Sequence, residues 1–454
     1  MNPRLSILLF LISLSLFAQK KEVVDTITVK ISPTVSTRVV LYGAEGAKQK
    51  YITYADSSDG VFKLAIPKTQ TEGMYRLVIN QKTMDYIDFL FSNTSFEIQL
   101  DPTKLDENPN FIGSNINRNY FEASKVIAKK QQIMDSLQVV CFQEKEPSKL
   151  KRITGDYTNL FWQLTEYLNH FNKTEKSTLV KDLIRANTRI QPQKPIQNPE
   201  EYLPYIRKHY FDAVDFNNTN LIHSSILVDK VMDYVFYLTV SRDIETQNNL
   251  YKEAVLFVLE KIDNQQLKSG FIQALIQSFA KDENIVLTDY LFDNFYTKLA
   301  TPFKKKDFKK TIQKELQTAV GRTASDITWV ENEETIHLLE LEGYDNYIIV
   351  FWSSTCPHCL KELPKLHEYT KDKKNIKVIA VGLETEESQG TWKSETYYHP
   401  TFTHVLGLQK WETPVARAYN VYSTPNFFVL NADKKIIGKP YEVVDLKVFF
   451  NGLK

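Results

Sequence analysis

The sequence contains only three cysteines in 454 residues, Cys141, Cys356 and Cys359. An exported protein held together by disulfides carries more cysteines, usually in even number. The stability of this chain must therefore come from burial, and the close pair Cys356/Cys359 is a candidate for chemistry. Cys141 lies on an apolar helical stripe with Ile127 and Met134, which predicts a buried thiol. A reactive third thiol is the alternative for Cys141.

Net charge and long apolar runs are also nearly absent. The formal net charge is +1, which gives no electrostatic support to a general role with nucleic acid or anionic membranes. No Walker loop, HExxH or G-x-G-x-x-G pattern occurs, so nucleotide-dependent and metalloprotease functions lack support. After the N-terminus no stretch approaches about 18 continuous apolar residues, and we expect no stable membrane insertion.

The N-terminus has the pattern of a secretory signal. Arg4 precedes the apolar run 5–17, and Ala18 is a small residue at which signal peptidase could cut. The run is too short to span a bilayer, although an uncleaved anchor is the alternative. The pattern predicts a signal peptide at 1–18 and export to the periplasm. No cysteine lies near the cut, which argues against a lipid anchor.

The next region, residues 22–102, alternates apolar and polar residues in short runs separated by turn residues. Phe62, Leu64 and Ile66, for example, follow the turn pair Asp59-Gly60. This period of two predicts antiparallel strands in an all-β sandwich. The region loosely resembles the β-rich domain of unknown function that precedes thioredoxin-like domains in exported bacterial proteins, most clearly in GMYRL at 73–77. That resemblance implies no activity.

Residues 110–300 are poor in glycine, with only Gly113, Gly155 and Gly270. This scarcity argues against many tight turns, and apolar residues recur there at helical spacing. The pattern predicts a central α-helical domain. The segment QPQKPIQNPEEYLP, residues 191–204, carries four prolines and is predicted to be a loop between two helical groups.

Residues 315–454 alternate between strand and helix patterns. The predicted strands are YIIVFW (347–352), IKVIAVGL (376–383), THVLGL (403–408) and NFFVLN (426–431), and helices are predicted from Pro357, near Trp392, from Thr413 and from Asp445. Such alternation predicts an α/β domain with a central sheet. The fold class is therefore multidomain, with a β-sandwich, a helical domain and a C-terminal α/β fold.

The motif FWSSTCPHC places two cysteines directly after a predicted strand. Cys356 is expected at the start of a helix, where unpaired N–H groups and the helix dipole stabilise a thiolate. Cys359 follows one turn later, close enough for a disulfide. Pro357 suits a first helical turn, and His358 adds a titratable group that should lower the pKa of Cys356. The pattern predicts dithiol–disulfide exchange.

This domain resembles a thioredoxin-like domain of the TlpA/ResA type, over about residues 315–454. WSSTCPHCLKELP matches the family pattern in Trp352, the C-x-x-C pair, Glu362 and Pro364, and YSTPNFFVLN places Thr424-Pro425 at the family's cis-proline loop. The resemblance implies a thioredoxin-like fold and a protein-disulfide reductase. Its expected partners are disulfide-containing or dithiol proteins, with a membrane thiol-electron carrier that recharges it.

The resemblance also implies roles for individual residues. Cys356 would be the exposed nucleophile, Cys359 the buried resolving thiol, and Glu362 the acid that relays protons. The predicted catalytic residues are Cys356, Cys359, Glu362 and His358. Thr424 and Pro425 would present backbone to an extended segment of a partner, and Trp352 is placed with them in the substrate-binding set.

Several alternatives remain open from the sequence. The Pro-His pair is typical of the oxidase DsbA, which leaves a disulfide oxidase or isomerase as one alternative. A non-enzymatic scaffold with a vestigial C-x-x-C is another. A zinc site would need four ligands, and only the two cysteines with His358 or His367 are at hand. We expect neither metal nor cofactor. Val350 stands where many thioredoxins carry a buried aspartate, so Glu362 is the expected proton acceptor.

Overall fold

The computed structural model describes residues 23–105, 109–238 and 240–452. The chain divides into two compact units, residues 1–271 and 272–454. The predicted signal peptide at 1–18 lies outside the described residues. The predicted domains at 22–102, 110–300 and 315–454 follow changes of element type, and their bounds stay a prediction.

The N-terminal part of the first unit is a β-sandwich, as predicted. Its strands are β1 (Val23–Ile31), β2 (Arg38–Glu45), β3 (Lys48–Asp56), β4 (Val61–Pro67), β5 (Gly73–Asn80), β6 (Asp85–Phe91), β7 (Phe96–Leu100) and β8 (Asn110–Ile112). They form two four-stranded sheets in the orders β4-β1-β7-β8 and β3-β2-β5-β6. Neighbouring strands are antiparallel, as predicted, except β1 and β7, which pair in parallel. In β4 the side chains of Phe62, Leu64 and Ile66 are buried and their neighbours face outward. This alternation buries one face of each sheet in a shared apolar core.

Helices follow the sandwich. They are α1 (Asn115–Gln143), α2 (Pro147–Thr174), α3 (Thr178–Asn187), α4 (Pro199–His209), α5 (Thr219–Ile222), α6 (Ile226–Phe236), α7 (Ile244–Glu260) and α8 (Gln265–Lys281), the last of which contains the division between the units. The predicted helical region is confirmed. Among the described residues, no helix is both long and apolar enough to cross a bilayer.

The proline-rich segment 191–204 is only partly the loop that the sequence predicts. The loop ends at Asn198, whose side chain accepts a hydrogen bond from the backbone N–H of Glu200 and so caps α4. Pro199 then occupies the first turn, where its missing N–H has no helical partner to lose. Pro204 lies inside α4, so the loop prediction is wrong beyond residue 198.

The second unit contains an α/β domain with a five-stranded sheet. Its remaining elements are α9 (Ile285–Asn294), α10 (Phe308–Glu315), β9 (Thr328–Glu331), β10 (Glu334–His337), β11 (Asn346–Trp352), α11 (Cys359–Thr370), β12 (Ile376–Leu383), α12 (Gln389–Thr396), β13 (Thr403–Gly407), α13 (Pro414–Ala418), β14 (Asn426–Asn431), β15 (Ile436–Gly438) and α14 (Val443–Gly452). The sheet order is β13-β12-β11-β14-β15, while β9 and β10 pair separately. The four predicted strands are therefore confirmed.

Both faces of this sheet are covered, which explains why β11 reads as a continuous apolar run. Tyr347, Ile349 and Phe351 point into one core, and Val350 and Trp352 belong to the other. Strands β11, β12 and β13 are parallel, so their carboxyl ends meet at one edge. The residues that follow β11 and β12 at this edge form the candidate active site.

Candidate active site

The two cysteines lie in a turn that leads from β11 into α11. The backbone N–H of Cys356 donates to the carbonyl of Ser353 (3.1 Å), and the carbonyl of Cys356 accepts from the N–H of Leu360 (3.2 Å). The helix itself begins at Cys359, so the prediction of a helix from Pro357 is wrong by two residues. Because the first helical hydrogen bond starts at Cys356, its thiol still lies over the open N-terminal turn of α11.

The Cys356 sulfur receives hydrogen bonds that favour a thiolate. The sulfur is partly exposed, and the N–H of Cys359 donates to it at 3.3 Å. Burial alone would raise the pKa of Cys356, but hydrogen bonds from the thiol and backbone of Cys359, with smaller contributions from Thr424 and the His358 backbone, lower it below the ordinary value. Cys356 thus has the access and the ionisation of a nucleophile.

Cys359 has the opposite character. Its side chain is fully buried among Trp352, Val350 and Leu363. Burial first, and then the neighbouring Cys356 sulfur, raise the pKa of Cys359 to about 12. Cys359 is therefore a protonated thiol while Cys356 is free. This pair combines one ionisable, accessible thiol with one protected thiol.

His358 does not act on Cys356 as the sequence suggests. Its imidazole Nε2 lies 3.2 Å from a carboxylate oxygen of Glu442, in the segment before α14. Among the largest causes of the lowered pKa of Cys356, His358 contributes through its backbone rather than its ring. The predicted imidazole effect is therefore corrected, because the ring is engaged by a carboxylate that the motif does not reveal.

Glu362 is buried on the first turn of α11, with only 2% of its surface exposed. Its two oxygens accept hydrogen bonds from the Lys365 ammonium (2.6 Å) and from the N–H of Val443 (2.9 Å). Burial opposes its ionisation, but these donors outweigh that effect and hold the pKa of Glu362 below its ordinary value. A carboxylate held in this way is a weak proton acceptor, so its role as a proton relay stays a prediction.

The predicted substrate-binding residues do not all lie at the surface. The Thr424-Pro425 peptide bond is cis, and the Cys356 thiol donates to the Thr424 carbonyl at 3.5 Å. These two residues therefore lie beside the nucleophile. Trp352 is fully buried in the core with Cys359, so the prediction that it contacts substrate is wrong. Its position as the last residue of an interior strand explains the burial.

A buried carboxylate that sequence reasoning missed holds the turn before Cys356. Glu384 is fully buried, and its oxygens accept hydrogen bonds from the N–H of Ser354 (2.5 Å), the hydroxyl of Ser353 (3.3 Å) and the hydroxyl of Ser388 (2.6 Å). Glu384 directly follows β12, which is parallel to β11. An acidic residue directly after an apolar strand was the signal that could have located it.

One group of described residues has the side chains to hold a cation. Ligand atoms of His358, Glu362 and Glu442 all lie within 4.8 Å of one another. Glu362, however, is already bound by the Lys365 ammonium, and Glu442 is paired with His358. A positive side chain inside the cluster disfavours a metal ion, and the arrangement is better described as an ion-pair network.

Comparison with known proteins places this region in a family. Residues 320–439 match the model of the AhpC/TSA family. The C-terminal region is a thioredoxin-like domain of this family, as its motifs predict, within a multidomain chain. A search of curated proteins found no match.

Several solved structures are similar to parts of the chain. The thioredoxin domain of a thiol-disulfide oxidoreductase from Bacteroides vulgatus is 22% identical over 30% of this chain and 97% of its own, with a TM-score of 0.27. A domain of a possible thiol-disulfide isomerase from Cytophaga hutchinsonii is 27% identical over 30% and 92%, with a TM-score of 0.26. A thioredoxin-like protein from Bacteroides caccae is 15% identical over 57% and 96%, with a TM-score of 0.28.

Proposed function

We propose that this protein is an exported, periplasmic thiol-disulfide oxidoreductase that reduces disulfides of other exported proteins. The observation that carries the proposal is the asymmetry of the cysteine pair. Cys356 is accessible with a lowered pKa, whereas burial keeps Cys359 protonated. An accessible thiolate at Cys356 is needed to attack a partner's disulfide. A protonated Cys359 is needed so that it attacks Cys356 only after the mixed disulfide with the partner has formed.

The proposed reaction proceeds in two exchange steps. The Cys356 thiolate attacks one sulfur of a partner's disulfide, forming a mixed disulfide, and the partner's other sulfur leaves as a thiolate that takes up a proton. Cys359 then loses its proton and attacks the Cys356 sulfur. The Cys356–Cys359 disulfide forms, and the partner leaves with both its sulfurs reduced. A dithiol donor, by expectation a membrane thiol-electron carrier, returns two electrons to the pair.

The structure suggests what starts the second step. The Cys356 sulfur is itself one of the causes of the raised pKa of Cys359. Once Cys356 is bonded to a partner, it no longer carries a negative charge, so this cause disappears. The pKa of Cys359 should then fall, and resolution should follow attack rather than precede it.

Thr424 and Pro425 would hold the partner during these steps. Thr424 is partly exposed beside the Cys356 sulfur, whereas Pro425, the next residue, is buried. Backbone groups next to the nucleophile suit an extended peptide segment, which binds through main-chain hydrogen bonds. Trp352 has no part in this contact because it is buried.

A disulfide-reduction assay with a dithiol donor tests the proposal. The wild-type chain should accelerate reduction, and Cys356→Ser should reduce the rate to background because no nucleophile remains. Cys359→Ser should instead accumulate mixed disulfides with its substrate, visible by mass spectrometry under non-reducing conditions. Full activity in Cys356→Ser would refute the assignment. A pair found fully oxidised in cells would favour an oxidase or isomerase.

A further inference from the structure

The segment before α14 contacts the first turn of α11 at two adjacent residues. The carboxylate of Glu442 lies 3.2 Å from His358 Nε2, and the N–H of Val443 donates to Glu362 at 2.9 Å. Both contacts fall within a few residues of the cysteine pair. The exposed ring of Tyr441 also lies beside the imidazole, with ring centroids 6.5 Å apart. This segment therefore helps to fix the orientation of the His358 and Glu362 side chains near the thiols.

The contact with Glu442 determines what His358 can do. Nε2 of His358 lies within ion-pair distance of the Glu442 carboxylate, so the imidazole has a negatively charged group beside it. The sulfur of Cys356 has other partners, the Cys359 amide and the Thr424 carbonyl. The ring between the two cysteines is thus turned to a carboxylate rather than to the thiolate that it neighbours in sequence.

The charges around this turn compensate one another. Lys365 pairs with Glu362 at 2.6 Å, and His358 pairs with Glu442. If the imidazole is protonated, the adjacent carboxylate offsets its field at Cys356; if it is neutral, only the carboxylate contributes a charge. In either case the Cys356 thiolate gains less stabilisation than it would from an unpaired imidazolium at the same distance.

We propose that Glu442 is a positioning residue that holds His358 away from the Cys356 thiolate and thereby keeps the Cys356–Cys359 disulfide weakly oxidising. Stabilisation of the reduced form makes a dithiol pair a stronger oxidant, so withholding the imidazolium favours a reductant. This inference rests on the proposed function and adds the residue that sets the direction of electron transfer. It also explains how a Pro-His pair can occur in a reductase.

The test is the redox equilibrium of the full chain with glutathione, compared between wild type and Glu442→Gln. In the variant a neutral amide replaces the carboxylate, so the negative charge that holds the imidazole and offsets its field at Cys356 is lost, and the equilibrium constant for forming the Cys356–Cys359 disulfide should fall about tenfold, equivalent to a potential about 30 mV higher. The variant's Cys356 should also be alkylated at lower pH. Glu368→Gln is the matched control, because Glu368 pairs with Lys371 on the same helix and should leave the equilibrium unchanged.

A double variant shows whether Glu442 acts through His358. In a His358→Ala background, Glu442→Gln should change the equilibrium constant less than about twofold. A tenfold effect that persists there, or no effect in the wild-type background, would overturn the inference. Failure of the wild-type pair to form a disulfide with glutathione at all would instead contradict the proposed function, so the two failures can be told apart.

Discussion

Cys141 and Cys356 are both cysteines next to a helix terminus, yet their surroundings give them opposite properties. Cys141 lies in the last turn of α1, is 2% exposed, and has a pKa raised by burial. Unpaired carbonyls at that end of a helix also disfavour a negative charge. Cys356 lies before the first turn of α11, where an N–H points at its sulfur. A structural thiol and a reactive thiol therefore differ in which helix terminus they adjoin and in their access to solvent, not in residue type.

The largest expected effect is on alkylation of the reduced, native chain at neutral pH. Cys356 should react with iodoacetamide at least about a hundredfold faster than Cys141, because both thiolate fraction and access favour it. Mass spectrometry of the labelled peptides measures the two rates. In concentrated urea both thiols should approach their ordinary pKa of about 8.5, and the rates should converge. Comparable labelling of the two thiols in the native state would contradict the comparison.

A second, smaller effect is expected on stability. Cys141→Ser should destabilise α1 by about 1–2 kcal/mol, because a hydroxyl fills less space than the sulfur and is costlier to bury even when it bonds to a carbonyl one turn earlier. Cys356→Ser, at a partly exposed turn, should change stability by less than about 0.5 kcal/mol.

Hydrogen exchange of peptides from α1 and α11 measures the two costs separately, since a chain with two compact units need not unfold in one step. Cys141→Ala is the control that removes the sulfur without introducing a buried hydroxyl. Equal costs for Cys141→Ser and Cys356→Ser would show that the two thiols do not differ in their structural role.

The sequence predicted those parts of the fold whose periodicity is local. The run from 376 to 383 appears as β12 with the same bounds, and the alternation of Phe62, Leu64 and Ile66 gives β4 its buried face. The burial of Cys141 is likewise confirmed. Pro204 was misassigned because a proline inside a helix loses one hydrogen bond but can be tolerated when the rest of the helix is well capped.

The candidate site could be predicted only where its residues adjoin in sequence. Cys356 and Cys359 were found from spacing, but Glu442 lies far along the chain from His358, which it contacts. Glu384 likewise reaches the turn before Cys356 only because β11 and β12 are adjacent and parallel. The prediction that Trp352 binds substrate is wrong because a motif does not show whether its strand lies in the interior of the sheet. Such contacts follow from the topology of the sheet rather than from local pattern.

The smallest expected effect comes from the buried polar side chains on the two helices. The inner face of α1 buries neutral amides, Gln131 and Gln138, whereas the inner face of α11 buries the carboxylate of Glu362. Since the pKa of Glu362 is lowered in the folded state, its stabilising contribution is fully present above the unfolded pKa of about 4.3 and is lost as pH falls through the lower folded value. Stability of α11 should therefore decline below about pH 4 in a way that α1 does not share.

Glu362→Gln tests this contrast. The amide keeps the shape of the carboxylate but turns an –NH₂ group toward one of two donors, Lys365 or the N–H of Val443. We expect a loss of about 1 kcal/mol at pH 7 that shrinks as pH falls through the lowered folded pKa of Glu362, below which the wild-type carboxylate is protonated as well. Hydrogen exchange of α11 peptides across this pH range measures the loss, and Glu368→Gln on the exposed face should show none. A pH-independent loss would mean that Glu362 is uncharged in the folded protein. A shift in the pH profile of disulfide exchange, with stability unchanged, would instead favour the proton-relay role over the structural one.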